Sequence, residues 1–425
     1  KNGRKSMSRT ELLKNKENIL NLFPQHQITL QRLERLADKQ ALPVITVVGK
    51  YNHGKSRLLN ELIGKDLFSV ADIRETKELH FAKQQDLQWI DAPGLDADVD
   101  EVDDDYAEEA LWVKSDIRLF VHAAKEGELD AAEIDLINKL QNDAQRTQRQ
   151  TILVLTQTDQ VADEDTLNSI RQSLQHQLNH NNFYPVSSVR HRKGVEQNIP
   201  LFVEKSGIPE LKERIDYAVS KVLHCRVFEQ QHYFSTLNTQ LAEKHQEHTK
   251  RHRELCRQAD EVETEFIKDL RVALEQGAED LHDIMQEPEV DHSLDPGSID
   301  DVFSMSAGKL DRSRIQIAYS RACLLIRSVL SKYGMTQLNE DAQVGAASLN
   351  TVMVSVMGVS VKFRPQLRRM FGEETGRDKL LRDFKTHFDK SENRLNALAD
   401  IENELTQLKA VETAQTVLAD WQQSA

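Results

Sequence analysis

Aromatic residues make up only 6% of this chain, and cysteine occurs at just three positions, Cys225, Cys256 and Cys323. An odd, scattered set with no metal-ligand spacing argues against a disulfide framework or a zinc knuckle. These cysteines read as free thiols of a reducing compartment. Positive charge is also in deficit: 55 Lys and Arg against 69 Asp and Glu give a formal net charge of −14. Nucleic-acid binding needs clustered cations, so no nucleic-acid partner is expected. No segment is a convincing transmembrane helix, and residues 1–15 lack the apolar core of a signal peptide.

What the chain does have is length and charge-rich helix. Its 425 residues suggest two or three domains. Apolar residues recur at three- and four-residue spacing over 8–40, interrupted at Pro24, which predicts N-terminal helices over 1–42. These helices are expected to pack on the helical region. From 43 to 223 the pattern changes to short β-branched runs (44–48, 87–90, 117–121, 151–155) between amphipathic stretches (56–62, 107–113, 131–140, 165–178). That alternation predicts βαβ units around a mostly parallel sheet. From 224 to 425 nearly everything reads as helix, with breaks near 287–298, 334–345 and 365–376. The expected fold is therefore an α/β P-loop domain plus an extended α-helical bundle or stalk that includes the N-terminal helices.

The sharpest signal is Gly49-Lys-Tyr51-Asn52-His53-Gly54-Lys55-Ser56, between a predicted strand and a predicted helix. It fits G-x-x-x-x-G-K-[ST], in which glycines let backbone N–H groups converge on phosphate oxygens at a helix N-terminus. Lys55 is expected on the β- and γ-phosphates and the Ser56 hydroxyl on Mg²⁺. The bland alternative is an ordinary glycine-rich turn, which the strand–loop–helix setting disfavours.

Three later segments extend the set. Asp91-Ala-Pro-Gly94 closes an apolar strand, placing a carboxylate for a magnesium-bound water and a Gly94 amide for the γ-phosphate. Thr76, the one threonine between Ser56 and Asp91, is the choice for a switch threonine on Mg²⁺; a loop or cap threonine is its alternative. Thr156-Gln157-Thr158-Asp159 follows a β-rich run. There Asp159 would accept hydrogen bonds from the guanine N1–H and amine, a donor pair that adenine lacks. Ser187 and Ser188 stand where a backbone N–H meets the guanine carbonyl. The expected nucleotide contacts are thus Gly49, Tyr51, Asn52, His53, Gly54, Lys55, Ser56, Arg57, Asp91, Thr156, Gln157, Asp159, Ser187 and Ser188. Lys55, Ser56, Thr76 and Gly94 are the catalytic set, and Ser56, Thr76 and Asp91 the metal set. The ligands are GTP or GDP with Mg²⁺.

Residues 44–64, with Val-Val-Gly49-Lys-Tyr-Asn52-His-Gly-Lys55-Ser56-Arg-Leu-Leu-Asn-Glu-Leu-Ile-Gly, resemble the P-loops of translation-factor-type GTPases and, within them, bacterial dynamin-like proteins. Among those the chain is most similar to the Leo branch of enterotoxigenic bacteria. The helical part is similar only in layout. The resemblance implies a GTP-hydrolysing mechanoenzyme, self-association through the GTPase domain or the helices, and a place in the cytoplasm, peripheral at the inner membrane. It also implies a K⁺ or Na⁺ ion at Asn52. Gln157 replaces the usual lysine and would cover the guanine face less well, while Tyr51 at the place of the dynamin glutamine and the lack of a glutamine after Gly94 point to slow intrinsic turnover. A nucleotide-gated helical scaffold, secretion-associated and with little turnover, and a non-dynamin regulatory GTPase are the alternatives.

Residues 342–361 carry no charge and are followed by Lys362, Arg364, Arg368 and Arg369. They fit either a lipid-touching tip or a small-residue core helix, and 352–361 also alternates like a strand. The clusters His191-Arg192-Lys193 and 248–253 read as solvated faces. The histidines are dispersed, so no protein-held metal beyond the nucleotide's Mg²⁺ is expected.

Overall fold

The computed structural model describes residues 9–68, 80–84, 86–92, 107–178, 183–286, 288–296, 306–335 and 349–424. Thr76, Gly94 and residues 342–348 lie outside the described residues. The chain divides into two compact units, Lys1–Ala242 with Thr413–Ala425, and Glu243–Glu412.

In the first unit, helices α1 (Arg9–Leu22) and α2 (Gln27–Leu36) flank a turn begun by Pro24, whose fixed φ suits a helix start better than a helix interior. A sheet follows, six-stranded among the described residues: β1 (Val44–Val48), β2 (His80–Gln84), β3 (Leu87–Asp91), β4 (Ile117–Ala123), β5 (Gln150–Thr156) and β6 (Phe183–Pro185). Their order is β2-β3-β1-β4-β5-β6, with β2 alone antiparallel. Between them lie α3 (Lys55–Ile63), the π-helical α4 (Glu109–Lys114), α5 (Ala131–Thr147) and α6 (Glu164–Gln177). Beyond β6 come α7 (Ser188–Glu196), α8 (Pro200–Glu204) and the long α9 (Ile208–Asp280).

All five residues of β1 are buried, as a parallel strand covered on both faces requires. Ile45 and Val47 join a core with Leu58 and Leu62 of α3 and with Ile208, Leu211 and Ile215 of α9. Val44 and Val48 face the opposite layer with Leu111, Phe120, Ile137 and Leu155. The first turns of α9 are thus part of the sheet's own core. Pairing of Val47 with Asp91, Val48 with Phe120 and Ala123 with Thr156 aligns the strands' carboxyl ends, where α/β sheets bind ligands. The edge strands β2 and β6 were not anticipated. β2 has only Phe81 and Ala82 as apolar residues among His80, Lys83 and Gln84, and β6 is only three residues long, so neither produces an apolar run.

The second unit holds the remainder of α9 with α10 (His282–Met285), α11 (Ala307–Lys332), α12 (Leu349–Met357), α13 (Arg364–Leu367), α14 (Glu374–Asp389) and most of α15 (Glu392–Ser424). Its core includes Phe266 stacked on Phe388 at 4.4 Å, with Ile326, Val352, Phe371 and Phe384.

Two expectations are corrected here. Residues 352–357 are helix rather than alternating strand, and Tyr319 donates its hydroxyl to the carbonyls of Met357 (2.6 Å) and Gly358 (3.0 Å) at the helix end. The break expected within 365–376 is found at the extended Glu373, before α14, and a further break lies at 358–363, ahead of Pro365 in the first turn of α13, where a missing N–H costs nothing. Arg364 and Arg368 do not present themselves to a lipid surface. Arg364 is buried against Asp291 (2.5 Å) and Asp311 (3.0 Å), and Arg368 donates to the Met285 carbonyl (2.7 Å). Val352, Met357 and Val361 pack inward, while Val354, Val359, Lys362, Phe363 and Arg369 are exposed.

Candidate nucleotide site

Strand β1 is followed by Gly49, where any β-carbon would collide with the Val121 carbonyl oxygen of the neighbouring strand, so only glycine fits. The loop then turns back through two residues with positive φ, Asn52 (59°) and Gly54 (81°), and opens α3 at Lys55. Asparagine and glycine tolerate that conformation better than other residues. Lys55 donates its ammonium to the carbonyls of Gly49 and Lys50, both at 2.9 Å, and so spans the cradle that phosphates would enter. The Ser56 hydroxyl donates to Asp91 Oδ2 at 2.6 Å. Two hard oxygen donors in contact, next to a lysine, suit Mg²⁺ held between protein and phosphates.

The base side is assembled by hydrogen bonds across three segments. The Thr156 hydroxyl reaches the His53 carbonyl (2.6 Å), and the Gln157 amide donates to the Asn52 carbonyl (2.6 Å) from a left-handed backbone. Gln157 therefore does part of the structural work of a lysine stem, pinning the phosphate loop to the base loop. The Ser187 hydroxyl donates to Asp159 Oδ1 at 2.6 Å while accepting from the Arg190 amide as N-cap of α7. Its own N–H goes to the Ser206 carbonyl (2.8 Å), so Ser187 orients Asp159 and anchors the loop. Ser188 opens α7 beside it.

Of the expected residues, Gly49, Asn52, Gly54, Lys55, Ser56, Asp91, Thr156, Gln157, Asp159, Ser187 and Ser188 meet in this way. Tyr51 is half-buried on the loop and Arg57 is exposed on α3. The His53 ring turns away from the cradle into the interior, where it is buried. His191 and Arg192 are not a solvated face: both bind Glu61 of α3, at 2.6 and 2.7 Å.

Sequence reasoning missed a buried ionic hub at the opposite end of the sheet. Arg32 of α2 binds Asp116 at the start of β4 (2.9 Å) and Glu229 of α9 (2.9 Å), while Arg226 of α9 binds Asp116 at 2.6 Å. Asp116 also accepts the Val44 N–H at 2.9 Å, at the head of the strand leading to the phosphate loop. Burial pushes the Asp116 carboxyl up, but Arg32 and Arg226 outweigh it and hold it at about 2. The only sequence clue was charge inside an apolar helix face, which single-sequence patterning discounts.

The chain is a P-loop GTPase. Residues 44–157 match the family model described as "50S ribosome-binding GTPase". It belongs to the same family as an uncharacterized protein of Acinetobacter baylyi, 42% identical over 409 residues, which are 96% of this chain and 98% of that protein. GTPase Der of Haemophilus influenzae is 35% identical over 127 residues, 28% of this chain and 24% of Der. A crystal structure of a probable GTP-binding protein engB covers 42% of this chain and 99% of its own, at 17% identity and a TM-score of 0.31.

Proposed function

We propose that this GTPase is a dynamin-like switch that couples slow GTP hydrolysis to rearrangement of its helices at a lipid surface. The observation carrying the switch is the contact of Ser56 with Asp91 at 2.6 Å beside a lysine that spans the phosphate cradle. In this reading Lys55 binds the β- and γ-phosphates, Ser56 and Asp91 hold Mg²⁺ together with Thr76, and the Gly94 amide senses the γ-phosphate. Mg²⁺ supplies charge neutralisation at the phosphate oxygens. Asp159, oriented by Ser187, selects guanine, and the Ser188 amide takes the base carbonyl. Asn52 supplies an oxygen for K⁺ or Na⁺ in place of an arginine finger.

The Arg32–Asp116–Glu229 hub supports the coupling, since it ties β1 and β4 to both α2 and α9. Lipid contact in this reading falls to the exposed Val354, Val359, Lys362, Phe363 and Arg369, and self-association to the GTPase domain. A ribosome-associated regulatory role is a second reading, favoured by the family match at 44–157. The charge of −14 weighs against it.

GTP turnover by wild type and Lys55→Ala, in K⁺ and Na⁺, with and without anionic liposomes, tests the proposal. Turnover that rises on liposomes and disappears in the variant is expected. Tight GTP binding without turnover in every condition would leave a nucleotide-gated scaffold, and co-sedimentation with ribosomes rather than liposomes would favour the second reading.

A further inference from the structure

Behind the phosphate loop lies a buried cluster for which nucleotide binding has no use. His53 of the loop, His122 of β4 and Glu133 in the first turn of α5 are 4%, 1% and 1% exposed. One ligand atom from each lies within 4.8 Å of the other two. Their hydrogen bonds divide the carboxylate between two tasks. Glu133 Oε2 accepts the Asp130 N–H at 3.2 Å and lies 3.7 Å from the Lys50 ammonium. Oε1 faces both imidazoles, 2.9 Å from His122 Nδ1 and 3.7 Å from His53 Nδ1.

The other nitrogen of His122, Nε2, lies 3.2 Å from the Gly127 carbonyl oxygen, which can only accept. Nε2 therefore carries a proton, and in the neutral ring Nδ1 turns a lone pair toward a carboxylate oxygen. Two acceptors at 2.9 Å require a positive centre between them, either a second proton or a metal ion. An imidazole whose far N–H is fixed by a backbone carbonyl is also the arrangement that metal-ligating histidines adopt.

We propose that His53, His122 and Glu133 form a site for a transition metal of the Zn²⁺ type, three protein ligands with an open fourth position, which staples the phosphate loop to β4 and α5. Tetrahedral Zn²⁺ at ordinary bond lengths separates its nitrogen and oxygen ligands by about 3.4 Å, a spacing that the two observed distances bracket. Two imidazoles and one carboxylate suit Zn²⁺ and disfavour Mg²⁺, which prefers an oxygen shell. His53 Nδ1 also lies 3.4 Å from the Val121 carbonyl oxygen, a long contact that a metal ion at this nitrogen would replace. Because His53 precedes Gly54, metal and nucleotide affinities are linked reciprocally. The metal site itself stands whichever role the GTPase serves.

The test takes the full chain, strips it with chelator, and titrates Zn²⁺ and Co²⁺, reading metal content after dialysis and the visible bands of tetrahedral Co²⁺. One ion per chain is expected, with binding weakened more than about ten-fold in Glu133→Gln and His122→Asn and unchanged in His248→Ala. Circular dichroism checks that the variants fold. A wild type that retains no metal overturns the proposal and leaves a proton between His122 and Glu133. Metal retained undiminished by folded Glu133→Gln and His122→Asn overturns it as well. Should those variants fail to fold, X-ray absorption at the Zn edge of the wild type decides: two imidazoles with oxygen support the site, and a sulfur-containing or all-oxygen set sinks it.

Discussion

Arg32 and Glu229 stand 197 residues apart in the chain and meet in a two-pronged ion pair, Nε to Oε1 at 3.0 Å and a terminal nitrogen to Oε2 at 2.9 Å. Both side chains are buried, at 1% and 0% exposure. The guanidinium also reaches Asp116 and the Val113 carbonyl, so a single side chain holds α2, α4, β4 and α9 together. Removing it takes one of two cations from each carboxylate, leaving Asp116 with Arg226 at 2.6 Å and Glu229 with Arg149 at 3.2 Å. Arg32→Ala should cost about 3–5 kcal/mol of unfolding free energy, read as a lower urea midpoint. Arg32→Lys should rescue little, because an ammonium cannot make the fork. An unchanged midpoint in Arg32→Ala would show that the hub bears no load, and one in Arg32→Lys alone that the fork is dispensable.

Asp116 gives this hub a pH signature. Its carboxyl is depressed from 3.8 to about 2 in the fold, so it favours folding above the unfolded value, and that contribution is lost as pH falls from 3.8 toward 2. The gap in unfolding free energy between wild type and Asp116→Asn should therefore be full at neutral pH and close across that acid window. A gap that is constant with pH would mean the carboxyl titrates normally.

Gly49 offers a backbone test. Any β-carbon at this position meets the Val121 carbonyl, a neighbour fixed in the sheet. Gly49→Ala should lower the melting temperature and abolish binding of a fluorescent GDP, whereas Gly64→Ala, with open space around it, should keep binding and lose only modest stability from its positive φ.

In the proposed reading, base choice rests on Asp159. Asp159→Asn removes the acceptor for the guanine amine and presents a donor instead, which matches the 2-carbonyl of xanthine. GDP affinity should fall about ten- to hundred-fold or more while XDP binding rises. Equal losses for both nucleotides, measured by displacement titration, would place base recognition elsewhere.

Arg364 and Lys362 separate core from surface. Arg364→Ala uncouples Asp291 and Asp311 and should lower the thermal stability of the Glu243–Glu412 unit. Lys362→Glu should leave melting unchanged and reduce co-sedimentation with anionic liposomes. Loss of melting temperature in Lys362→Glu would count against its exposed placement.

Much of this was legible in the residues. The strands at Val44–Val48 and Leu87–Asp91 and the loop between β1 and α3 carry strong local signals, because a buried parallel strand must be apolar and a phosphate cradle must have glycine. Contacts set by tertiary pairing were not legible. Ser187 reads as a loop serine until Asp159, 28 residues earlier, is placed against it. His53, His122 and Glu133 are scattered along 81 positions and converge only because β4 lies beside the phosphate loop. Arg364 looked like a lipid-facing cation because its two aspartates are 73 and 53 residues away.

The N–H of Ser187 ends on the carbonyl of Ser206, and Gly207 follows at φ 72°, wedged so closely against Pro185 that no β-carbon fits. Ile208, the first residue of α9, is the next link in the chain. The residue that steadies the Asp159 carboxylate is therefore bolted to the root of α9. A displacement of Asp159 would thus have a path of few bonds into α9 that does not pass through the phosphate loop.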